Sequence, residues 1–210
     1  MHMATVSGLF DNYDDALTAV NKLQALGIDR ASISIVANNS GDWYGQRAVD
    51  RDDNGHASKG AGEGAGTGAG IGAVLGGAGG LLAGLGVMAI PGVGPVVAAG
   101  WLAATGLGAV AGAAAGGAVG GLVGAMTSAG VPERDAHLYA EGVRRGGTVV
   151  SAKVDDDQVA EAQAILDEEA AVDLTARERV YREEGWSRFD PDAPVYTSDE
   201  VVRERERHRL

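Results

Sequence analysis

The chain has 210 residues, 29 acids against 17 bases, a formal net charge of -12 and no cysteine. That balance argues against DNA or RNA as a partner, because nucleic acids demand a basic footprint. The missing cysteines exclude disulfides, thiol chemistry and cysteine-ligated zinc.

The charge is unevenly spread. Residues 1–60 carry eight acids and five bases, residues 61–130 carry only Glu63, and residues 131–210 carry twenty acids and twelve bases. Two polar parts therefore flank an apolar, Gly/Ala-rich middle. The N-terminal MHMATVSGLF lacks a basic stretch followed by an apolar core, so no secretory signal is expected there.

In chain order, TVSGLF at 5–10 reads as a strand, and Asp11 to Asp15 supply a turn and a helix N-cap. Ala16, Ala19, Val20, Leu23 and Leu26 then recur at helical spacing, with Gly27 placed as a C-terminal stop. SISIV at 32–36 alternates as a second strand, completing a β-α-β unit. Residues 41–60 read as a polar linker. Beyond the apolar middle, Pro132 fits a helix N1 position, with Glu133 and Asp135 in the first turn and Arg144 and Arg145 before Gly146 at the other end. TVVSAKV at 148–154 reads as a strand, 156–170 as a helix capped by aspartate, and VDLTA at 172–176 as a final strand.

The two polar parts echo each other at an offset of 144, where Val6, Ser7 and Asp11 match Val150, Ser151 and Asp155. Each half has about 40 residues, too few to bury a core alone. The expected fold is α+β: a split ferredoxin-like sheet, residues 1–40 joined with 131–176, and a Gly/Ala-rich helical hairpin at 61–130 inserted between. Residues 177–210 are highly charged and interrupted by proline, which suggests a flexible tail with a helix near its end.

Within the middle, Gly60, Gly64, Gly68, Gly72, Gly76, Gly80 and Gly84 stand four residues apart, and Gly108, Gly112, Gly116, Gly120 and Gly124 form a second row. Such spacing lines one side of a helix, and glycine lets a neighbouring backbone approach closely. Each step overshoots a turn by about 40°, so a long row either crosses a partner steeply in a right-handed sense or meets different neighbours along its length, and the second option favours oligomers. No Asp, Glu, Lys, Arg or His occurs from Gly64 to Pro132. As a helix, Ala69–Ile90 would be about 33 Å long, enough to cross a bilayer, and Val96–Met126 is longer still. PGVGP at 91–95 would be the tight turn between two crossings. A homo-oligomer touching membrane lipid is expected, in the inner membrane with both termini cytoplasmic. The alternative is a soluble cytoplasmic oligomer that binds a ligand or ion through its sheet.

Chemistry is scarce. GEGAGTGAGIG lacks the spacing and the preceding strand of a phosphate loop. Asp50, Asp52, Asn54 and Gly55 open like a calcium loop, but its twelfth position is Ala61 rather than a bidentate glutamate. Asp155 to Asp157 read as helix-capping acids. The four histidines show no metal-ligand spacing, and no serine or threonine has a nucleophile context. No catalytic residue, cofactor or metal is expected.

The pattern resembles the bacterial general stress proteins of the YflT type, in particular the low-temperature-induced branch with a glycine-zipper middle. The resemblance rests on VSGLFDNYDDALTAVNKLQALGI at 6–28, AIPGVGP at 89–95 and AAAGGAVGGLVGAMTSAGVPERDAHLYAEGVRRGGTVVSAKV at 113–154. It implies a stress-induced, non-enzymatic protein that associates with membranes, and it carries over no catalytic residues.

Overall fold

The computed structural model describes residues 3–44, 86–103, 121–168 and 170–207. Strand β1 (Met3–Phe10) leads into helix α1 (Tyr13–Ala25) and strand β2 (Ile33–Asn38). A hairpin follows, β3 (Gly86–Ile90) and β4 (Gly94–Ala99). Then come α2 (Gly121–Ser128), α3 (Glu133–Arg144), β5 (Thr148–Asp155), α4 (Val159–Leu166), α5 (Leu174–Glu183) and α6 (Ser198–Arg207).

Local chemistry accounts for several boundaries. The Asn12 side chain accepts from the Asp15 N–H at 2.9 Å, capping α1, while Asp14 and Asp15 suit the positive end of the helix. Helix α3 starts directly after Pro132, carries Glu133 and Asp135 in its first turn and ends on Arg144.

The strands form one antiparallel sheet in the order β1-β5-β2-β4-β3. Since β1 and β2 both run antiparallel to β5, they run parallel to each other, with α1 crossing between them. The register sets Ser7 and Ser34 on either side of Ser151. Ser7 and Ser151 share a hydrogen bond of 2.8 Å, and the Ser34 hydroxyl donates to the Ala99 carbonyl at 2.8 Å. Three buried hydroxyls are thereby placed across three adjacent strands at the cost of no strand pairing.

Helices cover both faces of this sheet. On one face Val6, Phe10, Ile33, Ile35 and Val150 pack against Val20 and Leu23 of α1 and Leu166 of α4. On the other, Leu9, Val36, Val96 and Val149 pack against Tyr139, Ala140 and Val143 of α3 and Leu122 and Met126 of α2. Double coverage explains why every residue of β2 is buried instead of alternate ones. The fold is α+β.

Four expectations require correction. Residues 172–176 do not form a strand. Asp173 caps a helix instead, its carboxylate accepting from Thr175 N and Ala176 N at 2.8 and 3.0 Å, and only Ala171 bridges to Phe10 of β1. A side chain that satisfies two initial N–H groups stabilises the helix directly, whereas one bridge does not sustain a strand.

The second correction concerns the apolar middle. PGVGP does make a turn, but the turn joins strands, not helices. Gly92 and Gly94 there have φ of +71° and +98°. The β-branched Val87, Ile90, Val96 and Val97 suit strands, and the open edge of β2 supplies a partner, pairing Ile35 with Ala99 and Asn38 with Val96. Thus the helix expected over Ala69–Ile90 gives way to β3 in its last five residues, and that over Val96–Met126 is broken by β4. Residues 69–85 and 104–120 lie outside the described residues. Among those described, no helix is long and apolar enough to cross a membrane.

Third, the helix expected over 156–170 is α4, shorter and capped at Gln158 without a side-chain bond, so the three aspartates do not cap it. Fourth, residues 177–207 belong to the folded body. Tyr181, Phe189 and Val201 are buried, and α5 and α6 dock beside the end of α3.

Candidate functional site

The helix-packing glycines largely fall elsewhere. Gly60, Gly64, Gly68, Gly72, Gly76, Gly80, Gly84, Gly108, Gly112, Gly116 and Gly120 lie outside the described residues. Gly124 sits half-buried in α2, where its carbonyl accepts from the Thr127 hydroxyl at 3.1 Å. Close approaches to glycine do occur in the sheet body. A Cβ at Gly8 would come within 2.8 Å of the Leu166 carbonyl of α4, and one at Gly147 within 2.9 Å of the Gly142 carbonyl.

Charge concentrates where α3 ends. Arg145 is buried, its Nε donating to Glu141 at 2.7 Å and its Nη1 to Glu204 of α6 at 3.1 Å and to Glu184 after α5. Its guanidinium lies 3.9 Å from the centre of the Tyr181 ring. Burial opposes its charge, but the hydrogen bonds it donates to Glu184, Glu141 and Glu204 prevail and raise its pKa above the ordinary value. Burial likewise pushes the Tyr181 hydroxyl up to about 12. A second knot holds Glu178 of α5 between Arg134 and Arg182, and these two bases keep its carboxyl below the usual range. Arg177 grips Asp11 through two bonds of 2.9 Å. Each of these groups ties the C-terminal helices to the sheet body.

A cavity of about 580 Å³ lies beside this arm, within the size range of small-molecule sites. The β3–β4 turn contributes Ile90 and Pro91, α2 contributes Gly121 and Val123, α3 contributes His137 and Arg144, and the α5–α6 connection contributes residues 185–191. Ile90, Val123 and Phe189 belong to the second core, so one wall is apolar.

The polar side chains in the lining are held from behind. Arg144 donates from Nη1 to Glu141 at 3.1 Å and from Nη2 to the Pro194 carbonyl at 3.1 Å, and lies 5.0 Å from the Tyr196 ring centre. The Trp186 ring stands edge-on to Tyr181 at 5.9 Å, and its backbone N–H donates to the Tyr181 carbonyl at 2.9 Å. His137 is 6 % exposed, with Nε2 3.6 Å from the Glu133 carboxylate. Three buried nitrogens of these residues, His137 Nδ1, Arg144 Nε and Trp186 Nε1, have no hydrogen-bond partner.

A smaller cavity of about 410 Å³ lies between Val20, Ile33, Ile35 and Gly100, and its acid, Asp29, is committed to capping Ala31 N at 2.8 Å. Among the described residues, no group of three or more His, Asp or Glu side chains could hold a metal. The calcium-like residues Asp50, Asp52, Asn54 and Gly55 lie outside them.

Sequence reasoning placed no site in the arm. The available signal was Trp186 and Phe189, two aromatics three apart in an otherwise charged stretch. Trp43 and Tyr44 dock on the protein's own sheet, the Trp43 indole donating to the Asn38 carbonyl at 2.7 Å and Tyr44 joining the first core. No family model, no curated protein and no solved structure matches the chain.

Proposed function

We propose that this chain is a non-enzymatic stress-response protein that self-associates through its glycine rows and associates with the inner membrane. The observation that carries this reading is how the glycine-rich segments are anchored. The segment 45–85 runs between Tyr44 after β2 and Gly86 of β3, and 104–120 runs between the residues after β4 and α2, so both leave and rejoin one sheet body. That body holds both ends of each segment, as a presenting scaffold must. Because β1 pairs with β5 and α6 docks on Arg145, both ends of the described chain lie on that body, as a placement of both termini in the cytoplasm requires. The stress-response part and the split ferredoxin-like descent of the sheet rest on the family resemblance and on the β1-β5-β2 arrangement, in which a β-α-β unit admits a strand from the other half.

The rows are tested by substitution. Gly76→Leu is expected to abolish or reduce oligomers seen by native mass analysis in matched detergent, whereas Gly77→Leu, off the row, leaves them. Leucine raises both hydrophobicity and helix propensity, so a loss confined to Gly76 reports lost close approach. Equal behaviour of the two variants rejects the packing role.

A second reading, a soluble oligomeric ligand-binding module, is favoured by the cavity and by the strand hairpin that stands where the membrane helices were expected. Fractionation separates the two. Membranes washed with carbonate are expected to keep the chain, and its complete release into the wash supports the soluble module.

A further inference from the structure

We propose that two copies of this chain join through the outer edge of β3, antiparallel about a two-fold axis at Met88, so that two five-stranded sheets run on as one. The opposite edge of the sheet is already engaged at its end. Ala171 bridges Phe10 of β1, and the Val172 N–H donates to the Leu9 carbonyl at 2.8 Å. β3 is the last strand on its side and, among the described residues, pairs with β4 alone. Its sequence, GVMAI, has neither a charge nor a proline, the residues with which natural edge strands resist association.

The ladder fixes which groups β3 offers. The Pro95 carbonyl accepts from the Asn39 N–H at 2.8 Å, so Pro95 turns its backbone toward β2 and away from β3. Pro95 stands opposite Ala89, and this pair therefore exchanges no hydrogen bonds. Ala89, and Val87 two residues before it, must point N–H and C=O outward from the sheet. Both residues are exposed, and among the described residues neither has a further backbone partner. These outward groups are complementary to themselves. With a second copy turned about Met88, Val87 faces the partner's Ala89 and Ala89 the partner's Val87, and each pair exchanges both hydrogen bonds. A net charge of -12 repels copies in general, but neither β3 nor β4 carries a charged side chain, so no like charges oppose each other across the edge. The first glycine row ends at Gly84, just before β3, so this contact adjoins the self-association proposed above without resting on it.

The chain has no cysteine, so single replacements in the full chain report the pairing directly. Met88 meets its own copy in a pair without mutual hydrogen bonds, where Cα atoms stand about 4.5 Å apart, within disulfide range. Under mild oxidation Met88→Cys is expected to give a disulfide-linked dimer. Val87→Cys and Ala89→Cys should give far less, although both positions are exposed, because neither faces its own copy. Ala89→Pro removes one outward N–H from each copy and spares the bonds to β4, so association measured by sedimentation should weaken roughly tenfold or more. Val87→Lys, at a position 54 % exposed, should also weaken it, whereas Val202→Lys in α6, 51 % exposed, should not. Circular dichroism checks that each variant keeps its fold. No link at position 88, or one equally strong at 87 or 89, overturns the pairing, as does unchanged association of Ala89→Pro. Slow exchange of the Val87 and Ala89 amides in dilute monomer would mean that another segment covers the edge, and overturns it likewise. The link at position 88 should persist in a Gly76→Leu background, and its loss there would make the contact a by-product of the glycine rows and reject the edge as an interface of its own.

Discussion

Arg145→Ala is expected to cost about 3–5 kcal/mol and to loosen the C-terminal arm. The side chain neutralises Glu141, fully buried, and Glu204, 5 % exposed, and its third partner is Glu184. Removing the cation leaves the buried Glu141 and Glu204 short of counter-charge, and breaking a buried pair costs far more than its net worth. Arg144 still reaches Glu141 and Arg207 still reaches Glu204, so the loss stays within that range. The partners come from α3, from the end of α5 and from α6, so one substitution unties three elements. Urea unfolding gives the energy, and limited proteolysis between α5 and α6 reports the arm. Arg203→Ala, at an exposed position of α6, should stay within about 0.5 kcal/mol. A loss at Arg145 no larger than at Arg203 would mean that the arm is held by its apolar contacts alone.

Gly100→Ala should destabilise the protein by roughly 3 kcal/mol or more. The residue closes β4 with φ of +86°, a region that L side chains rarely enter. A Cβ there would stand 2.1 Å from the Ile33 carbonyl oxygen and 2.7 Å from the Ser34 Cα. Both atoms are backbone of β2, which is locked between β4 and β5 and cannot retreat. The chain's exit from β4 is fixed at the same point, since Leu102 N donates to the Ser34 hydroxyl at 3.3 Å. Gly41→Ala is the control, because nothing lies within 4 Å of its added methyl. Thermal unfolding of the two variants measures the difference, and a Gly100→Ala protein as stable as the control would reject the close packing of β4 on β2.

The sequence pattern reached the elements whose signals are local. β1, α1, β2, α3 and β5 were legible because their caps, periodicities and glycine stops lie within a few residues of one another. The strand hairpin was not, because GVMAI and GPVVAA are as apolar as a helix would require. Only the open edge of β2, encoded some 50 residues earlier, decides between the two states. The false fourth strand has a similar cause. Val172 to Ala176 suits a strand by composition, yet the Asp173 cap outweighs it. The arm looked too charged to fold. Glu178 and Glu204 are buried because they meet Arg134 and Arg145 in space, and pairing across such separations leaves no periodicity to read. The cavity depends on the arm and was hidden with it.

The place of β5 in the sheet has a consequence for how the protein is made. Its slot between β1 and β2 must stay open until Thr148 is synthesised, 110 residues after Asn38. At ribosomal speeds that interval is roughly 5–20 s. Throughout it two half-formed strands present unpaired edges while the apolar, glycine-rich stretch emerges from the same ribosome. The nascent chain is therefore most vulnerable to aggregation, and most in need of a holding chaperone or a receiving bilayer, just before the strand that joins β1 to β2 arrives.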